Sequence, residues 1–174
     1  GDKLTDLVIR RAFADMTGPV LAPLGVRMTS NFPLDVLLTP AALVRMDEHR
    51  RDAGLDASQI VIELTESQPA DDMATLRCSL GWLRAHGYNV AVDDAGPAVP
   101  KLSPLLELPF TAIKFDKVLV SHVHEDEAIA DFIANVTTVA HARGMTTIAE
   151  GVETVEVWRK IADLGVDAVQ GFLV

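Results

Sequence analysis

Short apolar runs of strand length alternate with longer stretches of helical period along this chain, and that alternation constrains its fold more than any other feature. Strands are expected at 25–32, 60–66, 88–94, 112–116, 145–151 and 168–174, with helices near 3–15, 40–53, 72–86, 126–143 and 154–163. Units of this kind build a parallel sheet covered by helices. Its strands are buried on both faces and read as nearly continuous apolar runs, so a polar residue inside one needs a reason. Thr39 and Pro40 read as the N-cap and first position of the helix at 40–53. No low-complexity linker or short repeat divides the chain, and 174 residues with 49% hydrophobic content suit a single core over 1–174.

The polar residues gather at the C-terminal ends of the expected strands: Asn31, Glu63 and Glu66, Asp93 and Asp94, Lys114, Glu150, Gln170. In a parallel βα barrel those ends converge on one mouth, where each strand can donate one group to a shared site. Carboxylates crowded there stay ionised at neutral pH only with positive charge between them, and a divalent metal is the simplest source. Oxygen-only ligands suit Mg2+, Mn2+ or Ca2+ rather than zinc. Adjacent aspartates can serve two ions, one carboxylate bridging the pair, which is an arrangement for hydrolysing phosphodiesters.

Each residue also has a plainer reading. Asp94, followed by Ala95, Gly96 and Pro97, could be a turn former or helix cap. Glu63 and Glu66 point to opposite sides of a strand, so one could be merely solvated. Lys114 could form a structural ion pair with Asp116, Asn31 could satisfy a turn, and Gln170 could bond a backbone edge. Their common location favours a site over these separate explanations. A Schiff-base role for Lys114 leaves the paired aspartates unexplained. His49, His86, His122, His124 and His141 fall away from the strand ends, and the HVH run at 122–124 precedes the acidic Glu125, Asp126 and Glu127, as on a solvated surface. Trp82 and Trp158 occupy helical positions suited to packing.

A formal net charge of -10 and a pI near 4.8 argue against a DNA or RNA surface. The single cysteine, Cys78, excludes an internal disulfide and a four-cysteine zinc site, and fits a reducing compartment. No apolar run reaches the roughly 18 residues of a membrane span, and GDKLTDLVIRRAF reads as an amphipathic helix rather than a signal peptide. A soluble, cytoplasmic domain without membrane contact is expected.

In order and spacing, SNF at 30–32, IELTES at 62–67, VDDAG at 92–96, IKFD at 113–116, IAEGVET at 148–154 and QGF at 170–172 resemble the EAL domain of cyclic di-GMP phosphodiesterases. The resemblance runs along essentially the whole chain. It implies an α/β fold, a TIM-like (β/α) barrel of the EAL type, incomplete, with about six of the strands present. The chain would be one EAL-type domain over 1–174, the C-terminal portion lacking the first strands and the Glu-Ala-Leu motif itself.

By the same resemblance, Asn31, Glu63 and Asp93 would bind one metal, and Asp93 and Asp94 would share the second. Lys114 would orient the attacking water, with Glu150 as base or further metal support. Glu66 would steady the loop after the double aspartate, and Gln170 would lie near the bound guanine nucleotide. The reaction would open cyclic di-GMP to pGpG with Mg2+ or Mn2+. The loop that the family usually writes DDFGTGYSS reads DDAGPAVPK here. That departure, with the missing front strands, motivates a second reading: a catalytically inactive EAL-fold module that binds cyclic di-GMP or a protein partner. Unpaired sheet edges in an open barrel favour a homodimer or other self-association.

Overall fold

A parallel strand needs a crossover to carry the chain back to the same end of the sheet, and helices supply it throughout this computed structural model. The structure describes residues 2–65, 72–96 and 102–173. The chain divides into two compact units, residues 1–64 with 70–90 and residues 65–69 with 91–174.

In the first unit, helix α1 (Asp2–Met16) packs on α3 (Pro40–Asp52), with the short α2 (Leu34–Leu37) between strand β1 (Met28–Phe32) and α3. A turn of 3-10 helix at Ala57–Gln59 leads into strand β2 (Ile60–Thr65), and α4 (Met73–Ala85) precedes β3 (Asn89–Ala95). Strands β1 and β2 run parallel, with Asn31 opposite Glu63. Strand β1 starts later than expected because Gly25, at φ 59, closes a preceding 3-10 turn in the left-handed region. Asp56 and Gln59 form a capping box ahead of β2, and Asp72 caps α4 through the Thr75 amide. Thr39 holds the N-cap position of α3 without capping it; its hydroxyl donates to the Asp35 carbonyl at 2.8 Å.

Phe13, Leu37, Met46, Ile62, Leu76 and Leu83 are buried in this unit, together with two carboxylates, Asp47 and Glu63. Asp47, only 2% exposed, accepts from the Tyr88 hydroxyl at 2.9 Å and from Arg50 Nε at 2.9 Å, while Arg51 pairs with its other oxygen. Arg50 also donates to the Leu55 carbonyl at 2.6 Å. Burial alone would raise the Asp47 pKa, but the bonds from Tyr88 and Arg50 outweigh it and hold the carboxylate below its usual range.

In the second unit, β3 continues and is followed by α5 (Leu102–Leu106), β4 (Ala112–Phe115), α6 (Lys117–Ser121), α7 (Glu127–Ala142), β5 (Thr146–Glu150), α8 (Val155–Asp163) and β6 (Ala168–Gln170). Strands β3 to β6 pair in parallel, each with the next, and Glu150 lies opposite Gln170. Asp116, Asp126 and Thr154 cap α6, α7 and α8 with their side chains. Helix α7 buries Ala130, Ile133, Val136 and Ala140 toward β4 and β5.

Strand β6 ends at Gln170 rather than running on through the apolar tail. Gly171 approaches Val152 so closely that a Cβ there would lie 2.2 Å from the Val152 carbonyl oxygen. Trp82 stacks on the His86 ring at 3.7 Å, whereas Trp158 is 44% exposed, so the packing role expected of it does not hold. Among the described residues no helix is long and apolar enough to cross a membrane.

Candidate metal centre

Strand β4 is apolar except for Lys114, and all four of its residues are buried. A buried ammonium is stable only beside compensating negative charge. The neighbouring strands supply it: Lys114 Nζ lies 3.0 Å from Asp93 Oδ1 on β3 and 2.6 Å from Glu150 Oε1 on β5. Asp116, the partner offered by local sequence, instead accepts from the Val118 and Leu119 amides at the start of α6. The lysine therefore belongs to an acidic cluster assembled across the sheet.

Asp93, Asp94 and Glu150 each bring a carboxylate oxygen to within 4.8 Å of the others. Asp94 sits at φ 53, the only non-glycine at positive φ among the described residues, where the register of β3 against β4 shifts between Val92 and Ala95. That irregularity lets consecutive aspartates serve one centre, since a regular strand would send them to opposite faces. Asp94 has its pKa raised by partial desolvation, then by the charges of Asp93, Asp116 and Glu150, with Lys114 opposing.

A divalent cation fits this donor set on two observations. The cluster offers hard carboxylate oxygens only. Asp93 Oδ1 is also buried without a hydrogen bond, although Lys114 stands near it; the ammonium contributes charge there, and no donor is aligned on the oxygen. A buried carboxylate oxygen left so is costly unless an ion completes it.

The other expected site residues are distributed as follows. Glu63 is 4% exposed on β2 and Asn31 is opposite it on the exposed side of β1, both in the first unit. Glu66 lies outside the described residues, as does the segment 97–101 that follows the double aspartate. Gln170 is exposed at the end of β6 and lines a cleft of about 380 Å³ with Lys117, Glu150, Gly151, Glu153 and Phe172. Lys117 and Glu153 escaped attention in the sequence. Their signal was present, in the lysine following IKFD and the second glutamate of AEGVET.

The histidines stay apart from the cluster, as expected. His122 Nδ1 approaches the Val118 carbonyl of its own helix, and His124 lies beside Glu125. A second cavity of about 340 Å³ between α3 and α4, lined by Leu43, Val44, Cys78 and Trp82, contains no charged group and so offers no such chemistry.

Comparison with known proteins identifies the pattern. The family model described as EAL domain matches residues 1–174. An uncharacterized protein of Mycobacterium tuberculosis is 33% identical over 120 residues, covering 69% of this chain and 19% of its own length. The cyclic di-GMP phosphodiesterase PdeL of Escherichia coli is 26% identical over 173 residues, covering 96% of this chain and 48% of PdeL. The solved structure of Klebsiella pneumoniae BlrP1 in complex with manganese and cyclic di-GMP matches with a TM-score of 0.86 and 30% identity, over 99% of this chain and 44% of that one. The chain thus spans a fifth to a half of the length of these curated relatives.

Proposed function

The chain belongs to the EAL-domain family and has its TIM-like (β/α) barrel in incomplete form, with six strands among the described residues; from that premise we propose that it is a phosphodiesterase domain hydrolysing cyclic di-GMP to pGpG. The observation that carries this reading is the buried Lys114 held between Asp93 and Glu150 beside Asp94. PdeL bears this activity in its name, and BlrP1 holds manganese with the cyclic dinucleotide.

By the family resemblance, Asn31, Glu63, Asp93 and Asp94, with Glu150 as further support, would hold Mg2+ or Mn2+. The ions would supply Lewis acidity toward the phosphodiester and neutralise charge developing on its oxygens. Water adds to phosphorus and the P–O3′ bond breaks, so the 3′ oxygen leaves with a proton and the linear product keeps a 5′ phosphate. Glu150 accepts the proton from water. Lys114, within 2.6 Å of Glu150, would orient that carboxylate and the attacking water and offset charge at the attacked phosphate. Gln170, at the rim of the cleft that Glu150 also lines, would contact the guanine end of the substrate, and Glu66 would support the segment after the double aspartate. We place the domain in the cytoplasm as a homodimer.

The deciding experiment is chromatography of cyclic di-GMP incubated with the chain and Mn2+ or Mg2+, alongside Asp93→Asn. Metal-dependent pGpG production by the parent and its loss in Asp93→Asn are expected. Tight binding of cyclic di-GMP with no turnover under either metal would replace this reading by that of an inactive binding module, and neither binding nor turnover would remove both.

A further inference from the structure

We propose that Lys117 is a positioning residue for the acidic centre: its side chain lies across Gly151 and is anchored on Glu153, clamping the turn that carries Glu150. The inference rests on the metal-dependent reading above.

Glu150 is the last residue of β5, and the chain turns at once through Gly151 at φ 67. A Cβ at position 151 would lie 2.3, 2.7 and 2.8 Å from Cγ, Cδ and Cβ of Lys117. The lysine stem thus occupies the space that a side chain at 151 would fill. Past the glycine, Lys117 Nζ reaches Glu153 Oε1 at 2.6 Å. Residues 150–153 are held at both ends by lysines, Lys114 on Glu150 and Lys117 on Glu153. Between them, the Val152 amide donates to the Gln170 carbonyl at 3.1 Å and the Val152 carbonyl accepts from Leu173 at 3.2 Å.

The Lys117 and Glu153 side chains are 57% and 45% exposed. An ion pair so solvated adds little to folding. Its specific consequence is geometric, because a metal centre tolerates only about 0.5 Å of drift in its supporting groups. The stem filling the place over Gly151 and the anchored ammonium together fix the turn, and with it the direction in which Glu150 leaves β5. The cleft shared by Lys117, Glu150, Glu153 and Gln170 is shaped by the same contact.

The test compares the parent chain with Lys117→Ala, Lys117→Met and Lys117→Arg, measuring Mn2+ binding by calorimetry without nucleotide and hydrogen exchange at the Val152 amide. Lys117→Ala is expected to weaken Mn2+ binding about tenfold and to speed exchange at Val152, with an unchanged thermal midpoint. Lys117→Met, which keeps the stem, should lose less, and Lys117→Arg should recover both values. Parental Mn2+ affinity and exchange in Lys117→Ala would overturn the clamp, as would Lys117→Arg behaving like Lys117→Ala. Absence of Mn2+ binding in the parent chain would remove the metal reading instead; the clamp then stands if exchange at Val152 rises in Lys117→Ala and recovers in Lys117→Arg, and falls if it does not.

Discussion

Lys114 on β4 and Glu150 at the end of β5 meet at 2.6 Å, ammonium against carboxylate, with side chains 7% and 20% exposed. Strand pairing puts Lys114 opposite Ile148, so Glu150 reaches it from two residues further along β5, on the same face. The contact places the one buried lysine of the described residues within reach of Asp93 as well.

Replacing Lys114 by Met removes the cation and leaves Asp93, Asp94 and Glu150 facing one another. Without metal, the variant is expected to lose about 3 kcal/mol of folding stability, the scale for a buried pair that loses one partner. Added Mn2+ should restore most of that loss, because it supplies the missing positive charge to the folded state alone. Urea unfolding with and without Mn2+ reads both effects, and turnover of cyclic di-GMP should fall by about a hundredfold or more.

The pKa of Asp94 is raised above its ordinary 3.8, first by desolvation and then by its acidic neighbours. In the metal-free chain, the sign follows from the proton being bound more tightly in the folded state: the stabilising contribution is complete below the ordinary value and is lost as pH rises through the raised one. Metal binding must displace that proton, so Mn2+ affinity should increase with pH over the same interval, by at most about tenfold per unit for one proton. Calorimetry across the acidic range checks this, and Asp94→Asn should flatten the dependence as well as lower the affinity.

Just ahead of β6, Asp167 accepts from the amide of Thr147 on β5 at 2.7 Å and from its hydroxyl at 2.8 Å, and lies 2.9 Å from His141 Nε2. Burial pushes its pKa up, but these bonds outweigh burial and depress it. Its contribution to stability is therefore present above the ordinary carboxylate value and lost as pH falls through the depressed one. Asp167→Asn should cost about 1 kcal/mol near neutral pH, with the difference from the parent shrinking in acid. Thermal midpoints measured over that range test it.

In the first unit, Tyr88→Phe removes the hydroxyl that donates to Asp47 and accepts from Arg50 Nε at 3.1 Å, and leaves both arginines on the carboxylate. It should cost about 1 kcal/mol. Asp47→Ala removes the carboxylate facing the Arg50 guanidinium, whose side chain is only 15% exposed, and should cost about 3 kcal/mol. Because Tyr88 and Asp47 share a bond, the double variant should lose less than the sum of the two, a coupling that chemical unfolding of all four forms would measure.

The strands and main helices were legible because their signals are local. IVIELT, AIKF and the α7 run carry apolar patterns within a few residues. Short elements were missed for the same reason. Helices α2, α5 and α6 are only four or five residues long, too short for the 3.6-residue period to repeat. The end of β6 also escaped the apolar tail, since Gly171 is placed by its approach to the Val152 backbone and not by its neighbours in sequence.

By itself, the sequence determined which residues could carry charge at the strand ends and, through its motifs, the family to which they belong. Tertiary structure decided which charges meet. Lys114 had an acid two positions away in Asp116, yet its partners come from the flanking strands, and Asp116 turns to the amides of α6. Asp93 and Asp94 can serve one centre only because the β3 register shifts and Asp94 adopts a positive φ. A strand's polar pattern specifies a face, whereas a partner is chosen by the neighbouring strand and the register in which it packs, and those depend on segments distant in the chain.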